Sequence, residues 1–162
     1  MSTTRVVLTP FSAEFPANAY PDLTTVNSRP VLAYDASSQA TAYWTFIAPQ
    51  GLTGALSCIL TYMMASATSG NIEFEVALEA VTDADAIDLD ATTSFDTVNS
   101  SGATAVPGTA GYIDQVSVTL TNADSIAAGD LVRISISRDA DDATNDTATG
   151  DLYLLAAELR EA

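Results

Sequence analysis

Apolar and polar side chains alternate with a period of two along much of this chain. In residues 71–80 one face carries apolar side chains and the other carries glutamates: Ile72, Phe74, Val76 and Leu78 against Glu73, Glu75 and Glu79. This alternation is typical of a half-buried β-strand, and it predicts that the glutamates face solvent. A helix would instead turn the same glutamates into the core.

The same alternation, or a run of aromatic, β-branched and large apolar residues, predicts seven further strands: residues 5–9, 31–34, 40–48, 55–65, 112–121, 130–138 and 151–160. Turns that contain glycine or proline separate many of these segments. In residues 55–65 the side chains from Leu56 to Met64 at even positions are predicted to face the core. The pattern as a whole predicts an all-β fold, an antiparallel eight-stranded jelly-roll-like β-sandwich.

The length of 162 residues fits one globular domain. We expect residues 1–39 to hold a short strand and an extended N-terminal arm, and residues 40–162 to hold the sandwich. Four of the six prolines fall in residues 10–30, which predicts an extended segment with neither helix nor strand. A loop this long in a compact domain usually binds a ligand or clasps a neighbour. Its interface candidates are Pro10, Phe11, Phe15, Tyr20 and Pro21.

The composition argues against catalysis and against anionic partners. The chain contains no histidine and no lysine, and its twenty-one carboxylates and five arginines give a net charge of −16. Histidine and lysine are the side chains most often used for proton transfer and covalent catalysis, so we expect no enzyme. Nucleic acid and anionic membranes need clustered cations, so neither is an expected partner. The lone Cys58 is predicted to be a buried structural thiol.

The longest nearly continuous apolar run, residues 58–65, is far shorter than the ~20 residues of a membrane span. The polar start of the sequence lacks the pattern of a signal peptide. We therefore expect neither a membrane segment nor a secretory leader.

Two aspartate-rich segments could supply oxygen ligands to Ca²⁺. The first contains Asp83, Asp85, Asp88 and Asp90, and the second contains Asp139, Asp141, Asp142 and Asp146. Neither matches the EF-hand pattern. The alternative is that both are solvated turns, where aspartate accepts hydrogen bonds from nearby backbone. No cofactor is expected; the second segment is the calcium candidate.

Two further groups of residues could act on or bind a sugar, but each also has a purely structural explanation. Glu73, Glu75 and Glu79 could offer the paired carboxylates of a glycosidase, but any half-exposed strand gives the same spacing. Trp44 and the tyrosines could stack on a sugar, but a sandwich core is where large aromatic side chains normally lie.

Several segments resemble a virion protein of tailed bacteriophages: residues 44–49 (WTFIAP), 70–75 (GNIEFE), 106–110 (VPGTA), 128–134 (AGDLVRI) and 138–142 (RDADD). The family that the chain resembles comprises jelly-roll decoration, or cement, proteins and related head-fibre domains. The resemblance implies a homotrimer on the outer capsid surface of the virion that clamps neighbouring subunits of the major capsid protein. Ile59 and Met63, on the outer face of their strand, are candidates for the trimer seam.

Two other functions remain open at this point. A trimeric receptor- or carbohydrate-binding domain of a head or tail fibre predicts exposed aromatic side chains at a loop end. A cellular glycan-binding module with bound calcium predicts a melting temperature that falls in EDTA.

Overall fold

A computed structural model of the chain describes residues 2–162. Antiparallel strands dominate that range, with one 3-10 helical turn at Pro10–Ser12. The strands are β1 (Thr3–Leu8), β2 (Asp22–Val26), β3 (Arg29–Tyr34), β4 (Ala40–Ile47), β5 (Leu56–Met64), β6 (Asn71–Ile72), β7 (Phe74–Val81), β8 (Asn99–Ser100), β9 (Thr104–Ala105), β10 (Asp114–Thr119), β11 (Leu131–Arg138) and β12 (Leu152–Glu161). Within residues 2–162 no helix has the length and hydrophobicity needed to cross a bilayer.

Two antiparallel sheets pack around one core and form a β-sandwich. The larger sheet has the order β10-β5-β12-β3-β2, and β1 pairs with the C-terminal half of β12. The smaller sheet has the order β4-β11-β7-β8, while β6 and β9 form a separate two-stranded ribbon. The predicted all-β, jelly-roll-like sandwich is therefore confirmed, and each of the eight predicted strands overlaps a strand of the structure.

The core contains the inward-facing side chains that the alternation predicts. Tyr34 and Tyr62 of the larger sheet contact Phe74 of the smaller sheet, with ring centroids 6.5 and 5.9 Å away. Trp44 is fully enclosed, and its indole Nε1–H donates to the carbonyl of Thr9 at 2.9 Å. Burial of a phenylalanine-sized side chain contributes roughly 1.5–3 kcal/mol, and each edge-to-face contact adds ~0.5–1.5 kcal/mol. These aromatic contacts hold the two sheets in one arrangement.

The outer face of β7 and the residue before it are covered, which corrects the prediction for two of the glutamates. Glu73 and Glu79 are only 5% and 4% exposed, whereas Glu75 is half-buried. The segment after β7 folds back over Glu79, and the hydroxyl of Ser94 donates to Glu79 Oε1 at 2.9 Å, while the hydroxyl of Ser100 donates to Glu73 Oε1. The prediction was wrong because alternation assigns side chains to a face of the sheet but does not say what covers that face.

The predicted strand at residues 71–80 is interrupted at Glu73, which separates β6 from β7. The backbone N–H of Glu73 donates to Asp146 Oδ2 at 3.2 Å, and its carbonyl accepts from the N–H of Asp139 at 3.0 Å. Both polar groups of this backbone position are therefore bonded to the segment that follows β11. At this break, the backbone of residue 73 is hydrogen-bonded to the segment after β11.

Residues 10–30 are not the predicted arm without helix or strand. They contain the turn Pro10–Ser12 and strand β2, which pairs with β3 at the edge of the larger sheet. Between these elements, Glu14 and Tyr43 exchange backbone hydrogen bonds of 2.7 and 2.9 Å along the outer edge of β4. The prediction was wrong because it depended on the prolines of the segment. The residues between Pro21 and Pro30 contain no proline, and β2 forms there. The segment covers a sheet edge that would otherwise expose unpaired backbone groups.

Candidate functional site

Three aromatic side chains of the N-terminal segment lie on the surface. Phe11 is 73% exposed, Phe15 is 39% exposed and Tyr20 is 47% exposed. The rings of Phe15 and Tyr20 contact each other, with centroids 5.6 Å apart. We name Phe11, Phe15 and Tyr20 the arm patch. The other two candidates of this segment, Pro10 and Pro21, are buried and offer little surface to a partner.

The arm patch lies on a backbone that the smaller sheet holds in place. Besides the paired bonds between Glu14 and Tyr43, the N–H of Thr41 donates to the carbonyl of Ala19 at 2.8 Å. Arg133 forms an ion pair with Glu14 at 3.6 Å and lies 4.2 Å from the ring centroid of Tyr43. These contacts fix the backbone on both sides of Phe15 and next to Tyr20.

A groove of about 460 Å³ lies on the outer face of the larger sheet. Strand pairing places Tyr153 beside Met63, and the side chains around them are mainly apolar: Val26, Ile113 and Leu155, with Asn27 and Arg29 also lining the groove. Met63 is half-buried, whereas Ile59, on the same face of β5, is only 8% exposed. Of the two seam candidates, Met63 therefore offers the accessible surface.

The first aspartate-rich segment forms turns. Asp85 Oδ2 accepts the N–H of Thr82 at 2.7 Å, and Asp88 Oδ1 accepts the N–H of Asp90 at 3.3 Å. Asp83 is exposed. Across the described part of the chain, no three of these carboxylates come within metal-binding distance of one another. The segment matches the solvated-turn alternative.

In the second segment, Asp146 is bound to an arginine. It is buried and forms a bidentate ion pair with Arg138, which is fully buried, through two hydrogen bonds of 2.8 Å. The remaining N–H groups of Arg138 donate to the carbonyls of Asp35, Gly150 and Ala148 at 3.4, 2.8 and 2.9 Å. All five donors of the guanidinium are thus engaged. This buried pair is structural, and Asp146 is not free to bind a metal.

The two other partly buried carboxylates of the segment meet Glu73. One carboxylate oxygen from each of Glu73, Asp139 and Asp142 lies within 4.8 Å of the other two. Burial, a hydrogen bond with Asp141 and repulsion by nearby carboxylates, Glu75 among them, raise the pKa of Asp139 to about 7. Asp141 itself is exposed and lies outside the group. Sequence spacing missed Glu73 because only the fold brings it to this segment.

The remaining side chains considered for catalysis or sugar binding are either buried or hydrogen-bonded to another side chain. Burial, followed by the negative charge of Glu158, raises the pKa of the Cys58 thiol to about 12, so almost no thiolate forms near neutral pH. Glu75 accepts the side-chain amide of Gln39 at 2.6 Å. Trp44 lies in the core and presents no ring face to a sugar.

Comparisons with known proteins bear on the fold. No family model and no curated protein match the sequence. Among solved structures, the chain is similar to the xylan-binding module CBM15, with a TM-score of 0.51 and 12% identity over 98% of this chain and 97% of that chain. It is also similar to the Agl-KA catalytic domain, with a TM-score of 0.53 and 14% identity over 99% of this chain but only 28% of that chain. At these identities the likeness supports the β-sandwich fold and no shared activity.

Proposed function

We propose that this chain is a non-enzymatic decoration, or cement, protein of a tailed bacteriophage. It binds the outer capsid surface as a homotrimer and holds neighbouring subunits of the major capsid protein together. The observation that carries the proposal is the arm patch, where three aromatic side chains are exposed on a chain of net charge −16. Exposed aromatic side chains, here including the contacting pair Phe15 and Tyr20, are typical of protein-binding surfaces. The sequence resemblance supplies the identity of the partner.

The backbone contacts near the arm patch suit a surface that binds another protein. The backbone around Phe15 and Tyr20 is bonded to β4 through Glu14 and Ala19, so little conformational entropy is lost when these two side chains bind. In a trimer three copies act together, and their effective concentration turns weak single contacts into strong attachment. The negative charge disfavours binding to DNA and suits a position on the outside of the shell.

The groove on the larger sheet is the proposed trimer seam. Met63 and Tyr153 lie next to each other in it, and an apolar groove of this kind would be covered when protomers associate. We expect wild type to sediment as a trimer at micromolar concentration and Met63→Glu to sediment as a folded monomer. A stable wild-type monomer would contradict the seam.

Capsid binding is tested with heads assembled from the major capsid protein of the same phage. The variant Phe11→Ser/Phe15→Ser/Tyr20→Ser removes the arm patch, and we expect at least tenfold weaker binding, because aromatic anchors supply much of an interface's energy. The matched control is Val98→Ser, which changes an exposed apolar residue beside β8, at the opposite edge of the smaller sheet. Equal binding by the two variants would contradict the role of the arm patch.

A second candidate is a trimeric head- or tail-fibre domain that binds carbohydrate. The observation that favours it is the groove, which Tyr153, Asn27 and Arg29 all line, since glycan sites combine a ring with polar groups. A xylan-binding module of similar fold makes xylo-oligosaccharide a reasonable first probe. Saturable binding that Tyr153→Ala abolishes would favour this candidate, and binding to heads without sugar binding would favour the decoration protein.

A further inference from the structure

Glu73 is a buried carboxylate with one oxygen left without a partner. The hydroxyl of Ser100 donates to Oε1, whereas Oε2 is buried and receives no hydrogen bond. Among the side-chain nitrogen and oxygen atoms that the structure describes, Oε2 is the one buried atom in this condition. A charged oxygen removed from water is strongly unfavourable unless a donor or a cation reaches it.

Two other carboxylates are fixed beside it. One oxygen from each of Glu73, Asp139 and Asp142 lies within 4.8 Å of the others. The N–H of Asp139 donates to the carbonyl of Glu73, and the N–H groups of Thr144 and Asn145 donate to Asp142 Oδ1 at 2.8 and 3.3 Å. The backbone therefore brings three carboxyl groups together and holds them there.

The described chain supplies no cation to this cluster. The sequence has no lysine or histidine, so its five positively charged side chains are all arginines. Four of them pair elsewhere: Arg5 with Glu161, Arg133 with Glu14, Arg138 with Asp146 and Arg160 with Glu158. The fifth, Arg29, donates to the carbonyl of Asn27 in the hairpin between β2 and β3. No arginine that the structure describes is therefore paired with these three carboxyl groups.

We propose that Glu73, Asp139 and Asp142 bind Ca²⁺, with Glu73 Oε2 as a buried ligand. The donors are all oxygens, which hard cations prefer, and neither histidine nor an accessible thiol is present to favour zinc. Oxygens on opposite sides of a calcium ion lie ~4.6–5.2 Å apart, so a cluster within 4.8 Å has the right size. The ligands differ from the sequence candidates, because Glu73 takes part while Asp141 and Asp146 do not.

The ion would link Glu73, between β6 and β7, to the segment that follows β11. Glu73 lies in the break between these two strands, Asp139 follows β11 directly, and Asp142 comes shortly after it. Binding would therefore stabilise this end of the smaller sheet. The site is independent of the proposed function and stands whether or not the chain binds a capsid.

The test uses the full chain, stripped with EDTA and dialysed, and CaCl2 as the only added ligand. Isothermal titration up to about 10 mM should show one ion per chain. At one hundred times the measured Kd the melting temperature should rise by about 5–10 °C. MgCl2 at the same concentration should give a much smaller rise, because Mg²⁺ demands a tighter octahedral shell.

The diagnostic variant is Glu73→Gln, with Asp83→Asn as the matched control because Asp83 is an exposed carboxylate of the other aspartate-rich segment. In EDTA, Glu73→Gln should melt at or above the wild-type temperature, since an unpaired buried charge is gone. In CaCl2 it should show no rise, whereas Asp83→Asn should respond as wild type does. The proposal is overturned if wild type shows neither heat nor a melting shift, if MgCl2 gives an equal rise, or if Glu73→Gln keeps the calcium response.

Discussion

The buried ion pair between Arg138 and Asp146 is the contact whose loss should destabilise the sandwich most clearly. The perturbation is Asp146→Asn, which keeps the size of the side chain and removes its charge. Both oxygens of Asp146 accept from Arg138 at 2.8 Å, and Oδ2 also accepts the N–H of Glu73 at 3.2 Å. The amide has one acceptor oxygen, and its NH2 group would face the donors of the guanidinium.

The structure sets the magnitude. Both side chains are almost completely enclosed, at 0% and 1% exposed, so water cannot solvate the arginine that remains. Removing one partner of a buried pair costs about 3–5 kcal/mol. Domains of this kind have a total stability of about 5–15 kcal/mol, so the variant should lose a large part of it. The control Asp151→Asn changes an exposed carboxylate just beyond the same segment and should cost less than about 0.5 kcal/mol.

Equilibrium unfolding in urea measures the difference, with the fluorescence of the single tryptophan, Trp44, as the probe. Because Trp44 is buried in the core, its emission should shift on global unfolding. We expect the urea midpoint of Asp146→Asn to fall while the m-value stays constant. A loss below about 1 kcal/mol would refute the reasoning, because it would mean that the buried guanidinium does not need this anion.

Three further outcomes are expected. Backbone N–H groups at residues 53–54 and the guanidinium of Arg5 hold the pKa of Glu161 at about 2. Since this value lies below that of the unfolded chain, the group stabilises the fold above about pH 4.5 and loses its effect as the pH falls toward 2. Unfolding measured across this pH range should therefore show Glu161→Gln less stable than wild type at pH 6 and equally stable near pH 2. A stability difference that stays constant with pH would contradict this. Trp44→Phe removes the indole donor to the N-terminal segment, at a cost of about 1 kcal/mol, and hydrogen exchange should speed up in residues 9–14 first. The Cys58 thiol should react with a thiol reagent at pH 8 only after denaturation, and rapid labelling of the native chain would contradict its burial.

The alternation of residues predicts the sandwich because it depends only on neighbours within one strand. Val132, Ile134 and Ile136 face the core as the period of two requires, and all three are fully buried. Arg138 continues the same parity, which is a sequence signal for a buried arginine at the end of β11. Alternation does not identify the ion-pair partner of this arginine, which is Asp146.

The candidate sites depend on contacts between distant segments, and spacing along the chain does not supply them. Glu73 occupies a polar position of a predicted strand, yet the fold buries it beside Asp139 and Asp142. Residues 10–30 illustrate the same limit, because Glu14 and Ala19 bond to β4, a strand that comes later in the chain. The length of that segment predicted five interface candidates, of which Phe11, Phe15 and Tyr20 are exposed whereas Pro10 and Pro21 are buried.

The decoration role is tested most directly by the number of copies that co-purify with assembled heads. Heads assembled with and without this chain are separated on a gradient, and the ratio of the two proteins is measured by quantitative mass spectrometry. We expect saturation at about one copy per major capsid subunit, with trimers at fixed positions on the outer surface in electron microscopy. Heads that leave the gradient without the chain, after incubation with a tenfold excess of folded trimer, would contradict the proposal.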